Sequence, residues 1–350
     1  MGATFRSLFG VEPVAQVFAP GRVNLIGEYT DLIGGSVLPM PLAKGVRVEV
    51  APSDGQGNVY SSQQGEMQTL SLAPAATGGW VDYIVGPLLM MKQAGFTVPD
   101  LNFQIAADLP AGAGVSSSAA LEVAIMRAVL AVTGESLSPV KMAQLARQAE
   151  NLYCGVQCGI MDQMAVAVGE AGCALALDCE TLTYRHLPLP AGWCIAVVHC
   201  GQARQLVDGA YNDRQNAILT AETALKTPLK NASLSALQQL SEPLVFKRAH
   251  HVVTEQARVA LAVEAMQAQD HQAFGELMNE SHRSLQVDFE VSTPGLDALV
   301  ASAREAGAVG ARLTGAGFGG CIVALIDETE KQAWWQAVSH TCPEAWIVAL

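Results

Sequence analysis

Alternating strand patterns open the chain, long apolar helices fill its middle, and strands return at its end. Val46, Val48 and Val50 alternate with polar positions at the two-residue period of a half-buried strand, and residues 14–18 have the same extended character. Turn residues between short alternating runs predict a hairpin over 58–72. A helix is expected over 80–93. Leu101, Phe103 and Ile105 then alternate again before Pro110 and a glycine-rich turn. From 118 to 132 nearly every position is apolar, which predicts a helix buried on most sides. Further helices are predicted over 138–153 and 160–168. Strands at Cys173–Asp178 and Trp193–His199 straddle the Pro188-Leu189-Pro190 break. Beyond Arg204 the pattern is mostly helical to Ala306, followed by strands at 308–313 and 321–326, a helix over 328–338 and a last strand at 346–350. Helices grouped between strands, rather than strict βαβ repetition, predict an α+β fold. The proline break divides it into domains at 1–188 and 189–350.

Composition narrows the classes. At 350 residues, half of them apolar and 15% charged, the chain can fill two cores and is too apolar for disorder. A formal charge of −13 argues against nucleic acid held on basic patches. It leaves a nucleotide open, because backbone amides and a metal ion can hold phosphates. The eight cysteines sit among apolar neighbours, where a free thiol behaves as a small hydrophobe. Cys154 and Cys158 lie four apart with no second pair at zinc spacing, which favours a structural role. The opening segment lacks an apolar signal region, and no stretch reaches the roughly 18 apolar residues of a membrane helix. A soluble, cytoplasmic protein without a membrane partner is expected.

Three glycine-bearing segments carry chemistry. Leu109-Pro-Ala-Gly-Ala-Gly-Val-Ser-Ser-Ser-Ala-Ala120 follows a strand and opens a helix. Gly112 and Gly114 allow close backbone approach, and the amides at the helix start face an anion. Ser116, Ser117 and Ser118 add hydroxyls for phosphate or Mg2+. The alternative is a plain turn with a serine cap. No Lys-Ser/Thr ending is present, so this is not a Walker A loop. Leu313-Thr-Gly-Ala-Gly-Phe-Gly-Gly-Cys321 contains G-x-G-x-x-G, but a strand follows where a dinucleotide fingerprint needs a helix. It reads as a strand-to-strand loop beside a ligand or beside the phosphate loop. Gly21-Arg-Val-Asn-Leu-Ile-Gly-Glu-Tyr-Thr-Asp31 sets Arg22, Glu28 and Asp31 among glycines, suited to sugar hydroxyls and phosphoryl charge or to a surface salt bridge. Glu150 and Asp162 complete the acidic set. Asp162 lies among Ile160, Met161, Met164 and Ala165, so a partner or a function must compensate its burial.

In order and kind these segments resemble the galactokinase–homoserine kinase–mevalonate kinase–phosphomevalonate kinase family: Gly21 to Glu28 resembles the signature of its galactokinase branch, Pro110 to Ala120 the family's phosphate loop and Leu313 to Cys321 its third motif. Cys158-Gly-Ile-Met-Asp-Gln163, Ala210-Tyr-Asn-Asp-Arg214, Arg248-Ala-His-His-Val-Val-Thr-Glu255 and Ser281-His-Arg-Ser-Leu285 extend the likeness across nearly the whole chain. The resemblance implies a two-domain α+β kinase with its active site in the interdomain cleft, using ATP and Mg2+ to phosphorylate the anomeric hydroxyl of galactose. It assigns Asp162 to that hydroxyl and Arg22 to the transferring phosphoryl group. Ser118 and Glu150 match the Mg2+ positions. The amides of Gly112, Ala113, Gly114, Val115, Ser116 and Ser117 match the phosphate cradle, with Trp80 and Tyr83 near the adenine. Glu28, Asp31 and Tyr211 match sugar contacts. The signature usually reads Gly-Glu-His-Thr-Asp-Tyr; here Tyr29 replaces the histidine that contacts the sugar near C6, and Leu32 replaces the tyrosine.

Two alternatives follow. One is a 1-kinase for a modified galactose such as N-acetylgalactosamine or galacturonate, suggested by Tyr29 and by Gly34-Gly-Ser-Val-Leu-Pro-Met40. The other is a sugar and ATP sensor without turnover, disfavoured by the uninterrupted serine run and by the presence of Arg22 and Asp162. His250 and His251 read as an exposed or half-buried pair, Met90-Met91 as core packing, and Trp334-Trp335 as a pair with one ring inward. The oligomeric state is left open.

Overall fold

The computed structural model describes residues 3–73, 75–110, 112–202 and 208–350. Helix α1 (Phe5–Phe9) precedes β1 (Ala15–Asn24), β2 (Ser36–Val37), β3 (Pro39–Pro52) and the hairpin β4 (Asn58–Ser61) and β5 (Glu66–Thr69). Helix α2 (Asp82–Gln93) and β6 (Leu101–Ala107) lead to α3 (Ser117–Thr133), α4 (Pro139–Gln148) and α5 (Met161–Val168). Strands β7 (Cys173–Asp178), β8 (Tyr184–Pro188) and β9 (Trp193–His199) come next. The helices α6 (Asp208–Leu225), α7 (Leu234–Leu237), α8 (Pro243–Gln267), α9 (His271–Val287) and α10 (Pro294–Glu305) follow. The chain ends with β10 (Gly310–Leu313), β11 (Cys321–Asp327), α11 (Lys331–Thr341) and β12 (Trp346–Ala349).

The chain forms two compact units that are not contiguous in sequence. The first contains Met1–Arg22, Leu42–Pro110 and Ser116–Val168, and the second Val23–Pro41, Ala111–Val115 and Gly169–Leu350. The break expected at 188 therefore lies inside the second unit. Its proline ends β8, which pairs with β7 in the sheet β2-β7-β8.

In the first unit a five-stranded sheet has the order β1-β3-β6-β4-β5. The antiparallel register sets Val46, Val48 and Val50 opposite Ala107, Ile105 and Phe103, so the alternating apolar positions share one face. Helix α3 is buried along most of its length, as its composition requires. Arg127, its one cation, donates to the carbonyls of Phe18 and Ala167, tying α3 to the end of β1 and to α5. The helix expected over 138–153 is present, but its last turn, Ala149–Tyr153, is a π-helix. Such turns concentrate at functional sites.

In the second unit the sheet order is β10-β11-β9-β12. Val198 opposes Ile322 and Ala196 opposes Ala324, and α10 packs its buried face of Leu296, Leu299 and Val300 into the same core. The hairpin, the strand after the second glycine loop and the inward Trp334 agree with the pattern in the sequence. Strand β8 was not legible, because Tyr184-Arg-His carries the exposed polar face of an edge strand.

Candidate active site

Arg22 is placed near the end of β1 and Asp162 in the first turn of α5. They form a two-pronged pair in which Arg22 Nε donates to Asp162 Oδ1 at 2.8 Å and Nη2 to Oδ2 at 2.8 Å. The arginine side chain is 5% exposed and the aspartate 30%. Asp162 thus stays partly open although its apolar neighbours on α5 are buried. A fork-shaped guanidinium fixes the orientation of a carboxylate as well as its charge.

Ser116 completes this cluster. It precedes α3 with φ 59° and ψ 45°, a left-handed backbone rare for a residue with a side chain, and it makes no side-chain cap to the helix. Its hydroxyl donates to Asp162 Oδ2 at 2.6 Å instead. A capping serine would bond its own helix, so the plain-turn reading of this loop does not hold for Ser116. Ser117 is exposed at the first helical position, Gly112 and Gly114 have φ of 69° and 73°, and Ala113 and Val115 are buried.

In the first turn of α3, Ser118 donates to Glu150 Oε1 at 3.1 Å. Glu150 lies on the π turn, 7% exposed, and Gln163 donates to its other oxygen at 2.6 Å. Burial, reinforced by the negative charge of Asp162, raises the Glu150 carboxyl to about 7. Behind it lies Glu122, fully buried on α3, whose two oxygens have no hydrogen-bond partner among the described residues. Burial and the Glu150 charge push its carboxyl well above the usual range. A cation beside Ser118 and Glu150 would relieve this crowding of acids. No three His, Cys, Asp or Glu side chains among the described residues gather to cage a metal. One carboxylate and one hydroxyl fit Mg2+ held jointly by protein and phosphate oxygens.

Tyr83 on α2 is half-buried; burial and then the Glu150 charge hold its phenol protonated. Trp80 precedes α2 and donates to Glu66 Oε1 at 2.9 Å.

The rest of the acceptor signature belongs to the second unit. Glu28, 1% exposed, accepts from Arg312 Nη2 and Asn24 Nδ2, each at 2.5 Å, and from the Gly315 amide at 2.6 Å. Tyr29, 4% exposed, donates to the Ala316 carbonyl at 2.6 Å. Both side chains, expected to face an acceptor sugar, are bonded to the glycine-rich loop. Asp31 sits half-buried in the turn Thr30–Ile33. Tyr211 belongs to α6, and its side chain lies outside the described residues.

The loop after β10 leads into β11, as its position in the sequence implies. Gly317 has φ 74°, and a Cβ there would lie 2.2 Å from the Val291 carbonyl oxygen, so only glycine fits. His251 corrects an expectation. Rather than exposed or half-buried it is fully buried, against Ser284 Oγ at 2.9 Å and the Glu28 carbonyl at 3.2 Å. Burial lowers it to about 4. Glu122, Gln163 and Arg312 were not singled out from the sequence. The available signal was a charge inside an otherwise largely apolar helix or strand for Glu122 and Arg312; Gln163 had none.

Comparison with known proteins bears on this arrangement. A galactokinase of Roseiflexus sp. (strain RS-1) is 40% identical over 344 residues, covering 94% of this chain and 88% of that one. The chain belongs to the galactokinase family. A galactokinase of Thermococcus kodakarensis is 37% identical over 93% of both chains. The galactokinase galactose-binding signature matches residues 3–52, the GHMP kinases N terminal domain residues 82–170, and the GHMP kinases C terminal model residues 262–344. Lactococcus lactis galactokinase, solved in complex with galactose, superposes with a TM-score of 0.92 at 31% identity, covering 98% of this chain and 95% of that one. Methanococcus jannaschii mevalonate kinase shares the fold, with a TM-score of 0.72 at 18% identity over 95% and 96% of the two chains. The family is one of sugar kinases, and the two-domain α+β expectation agrees with it. No described helix is long and apolar enough to cross a membrane, and all eight cysteines are free thiols.

Proposed function

We propose that this kinase transfers the γ-phosphoryl group of ATP to the anomeric hydroxyl of galactose, giving galactose 1-phosphate and ADP. The observation that carries this reading is the Arg22–Asp162 fork, met by the Ser116 hydroxyl at the mouth of α3. Asp162 takes or orients the C1 hydroxyl proton, and Arg22 offsets charge on the transferring group. Phosphoryl transfer needs positioning and charge neutralisation more than covalent chemistry. The triphosphate is assigned to the amides from Gly112 to Ser117 and the adenine to Trp80 and Tyr83. Ser118 and Glu150 are assigned to Mg2+, which when bound supplies charge neutralisation between the phosphates. Asp31 and Tyr211 are assigned to the sugar hydroxyls, and Glu28 holds the loop beside them. The match to the galactose-binding signature and the likeness to a galactose-complexed structure favour galactose over its C2- or C6-modified relatives. Eight free thiols suit a reducing cytoplasm.

A coupled ADP-release assay over a panel of hexoses tests the proposal. The expected result is ADP formation that requires galactose and Mg2+. Absence of sugar-dependent ADP with every hexose would exclude kinase activity.

A further inference from the structure

Three residues of the acceptor signature grip three consecutive residues of the glycine-rich loop in the second unit. The Asn24 amide donates to Thr314 Oγ1 at 3.0 Å, and that hydroxyl donates back to the Asn24 carbonyl at 3.0 Å. Glu28 Oε1 accepts from the Gly315 amide at 2.6 Å. Tyr29 donates its phenol proton to the Ala316 carbonyl at 2.6 Å. Tyr29 holds a left-handed backbone, φ 69°, which brings its ring onto Phe289 at 4.4 Å between centroids. A buried aromatic whose one polar atom is bonded to a loop carbonyl acts as a strut.

The loop it braces lies against the phosphate loop. A Cβ at Gly315 would sit 2.9 Å from the Gly114 carbonyl oxygen, and one at Gly320 would sit 3.0 Å from that of Ala113. The two backbones are therefore in contact, and a shift of residues 314–316 moves the segment that leads into Ser116.

We propose that Tyr29 is a positioning residue for the nucleotide: its hydroxyl fixes Ala316, and through the glycine contacts fixes the phosphate loop in its triphosphate-binding shape. This departs from a role in reading the sugar at C6, and it rests on the assignment of the phosphate loop to ATP.

The test is Tyr29→Phe, which keeps the ring packing and removes only the hydroxyl. The dissociation constant for Mg·ATP, measured calorimetrically without sugar, and the KM for Mg·ATP should both rise about five- to tenfold, the effect of one lost hydrogen bond on a buried carbonyl. The KM for galactose and its preference over 6-deoxygalactose should stay unchanged. Thr314→Val, which removes a neighbouring contact of the same grip, should give the same pattern and carries the test if Tyr29→Phe fails to fold. An altered preference at C6 with unchanged Mg·ATP affinity would make Tyr29 a sugar contact and overturn the proposal. A lowered melting temperature with unchanged Mg·ATP affinity would reduce it to a fold contact and equally overturn it. If the unmodified chain binds Mg·ATP but releases no ADP with any sugar, kinase function fails while the binding comparison still decides the role of Tyr29.

Discussion

Among the described residues of the first unit, Glu150 receives hydrogen bonds from the neutral groups of Ser118, Cys158 and Gln163 and Glu122 is paired with no cation, whereas in the second unit Glu28 and Glu255, equally buried, each meet an arginine. Burial alone raises a carboxyl in both places. Glu150 stays raised, at about 7, because burial and Asp162 outweigh its donors. At Glu255 burial also raises, but the charges of Arg258, Arg312 and His251 and the Ser281 hydroxyl outweigh it and leave about 2. The difference is closure of charge. The second unit compensates its acids and uses them to fix loops: Glu255 also accepts the Gly27 amide at 2.9 Å. The first leaves an excess of acid around Ser118, which suits the proposed Mg2+ and substrate hydroxyl.

Breaking each cluster should therefore cost different things. Asp162→Asn keeps the shape and removes the charge facing Arg22. It should lower kcat by about 10²–10⁴-fold, measured by steady-state kinetics on protein shown to be folded by thermal denaturation. A full rate would remove Asp162 from the chemistry. Next in size, Arg312→Met leaves Glu28 buried without its cation and should destabilise the fold by about 3–5 kcal/mol in urea denaturation. Glu122→Gln, in the uncompensated cluster, should change stability by less than about 1 kcal/mol at neutral pH, since among the described residues Glu122 has no cationic partner to lose. Equal losses for the two variants would erase the distinction between the clusters.

The smallest effect is in pH. The Glu150 carboxyl is at about 7 in the fold against an ordinary 4.5, so the folded state holds more protons between those values. Its contribution to stability is greatest at low pH and declines as pH rises through that window. Glu255 at about 2 against 4.5 and His251 at about 4 against 6.5 run the other way. There the unfolded state holds more protons, so stability is lost as pH falls from about 6.5 through 4 toward 2. Hydrogen exchange followed by mass spectrometry should show residues 251–285 losing protection on acidification before residues 118–150. Simultaneous loss would contradict the opposite signs.

Much of this was legible in the sequence where periodicity or glycine spacing records a local demand. The Val46, Val48 and Val50 alternation, the apolar α3 helix and the strand after the second glycine loop all follow from residue patterns. The pairing of Arg22 with Asp162 spans 140 positions and became readable only through the family likeness. What stayed hidden depends on side-chain direction. The left-handed turn at Ser116 sends its hydroxyl to Asp162 rather than to its own helix, and the one at Tyr29 turns the phenol inward. The π turn that carries Glu150 has no marker in the residues around it. The division of the chain was misplaced to Pro188 because local punctuation cannot report that residues 23–41 and 111–115 pack with the later segment.

Phosphorus-31 NMR of a reaction containing the full chain, ATP, Mg2+ and galactose decides whether the phosphoryl group reaches the anomeric oxygen. The expected result is a new sugar phosphate signal coupled to the anomeric proton, growing as the ADP signals grow, and absent with Asp162→Asn on the same timescale. A signal coupled to the C6 methylene protons, or inorganic phosphate alone, would contradict it.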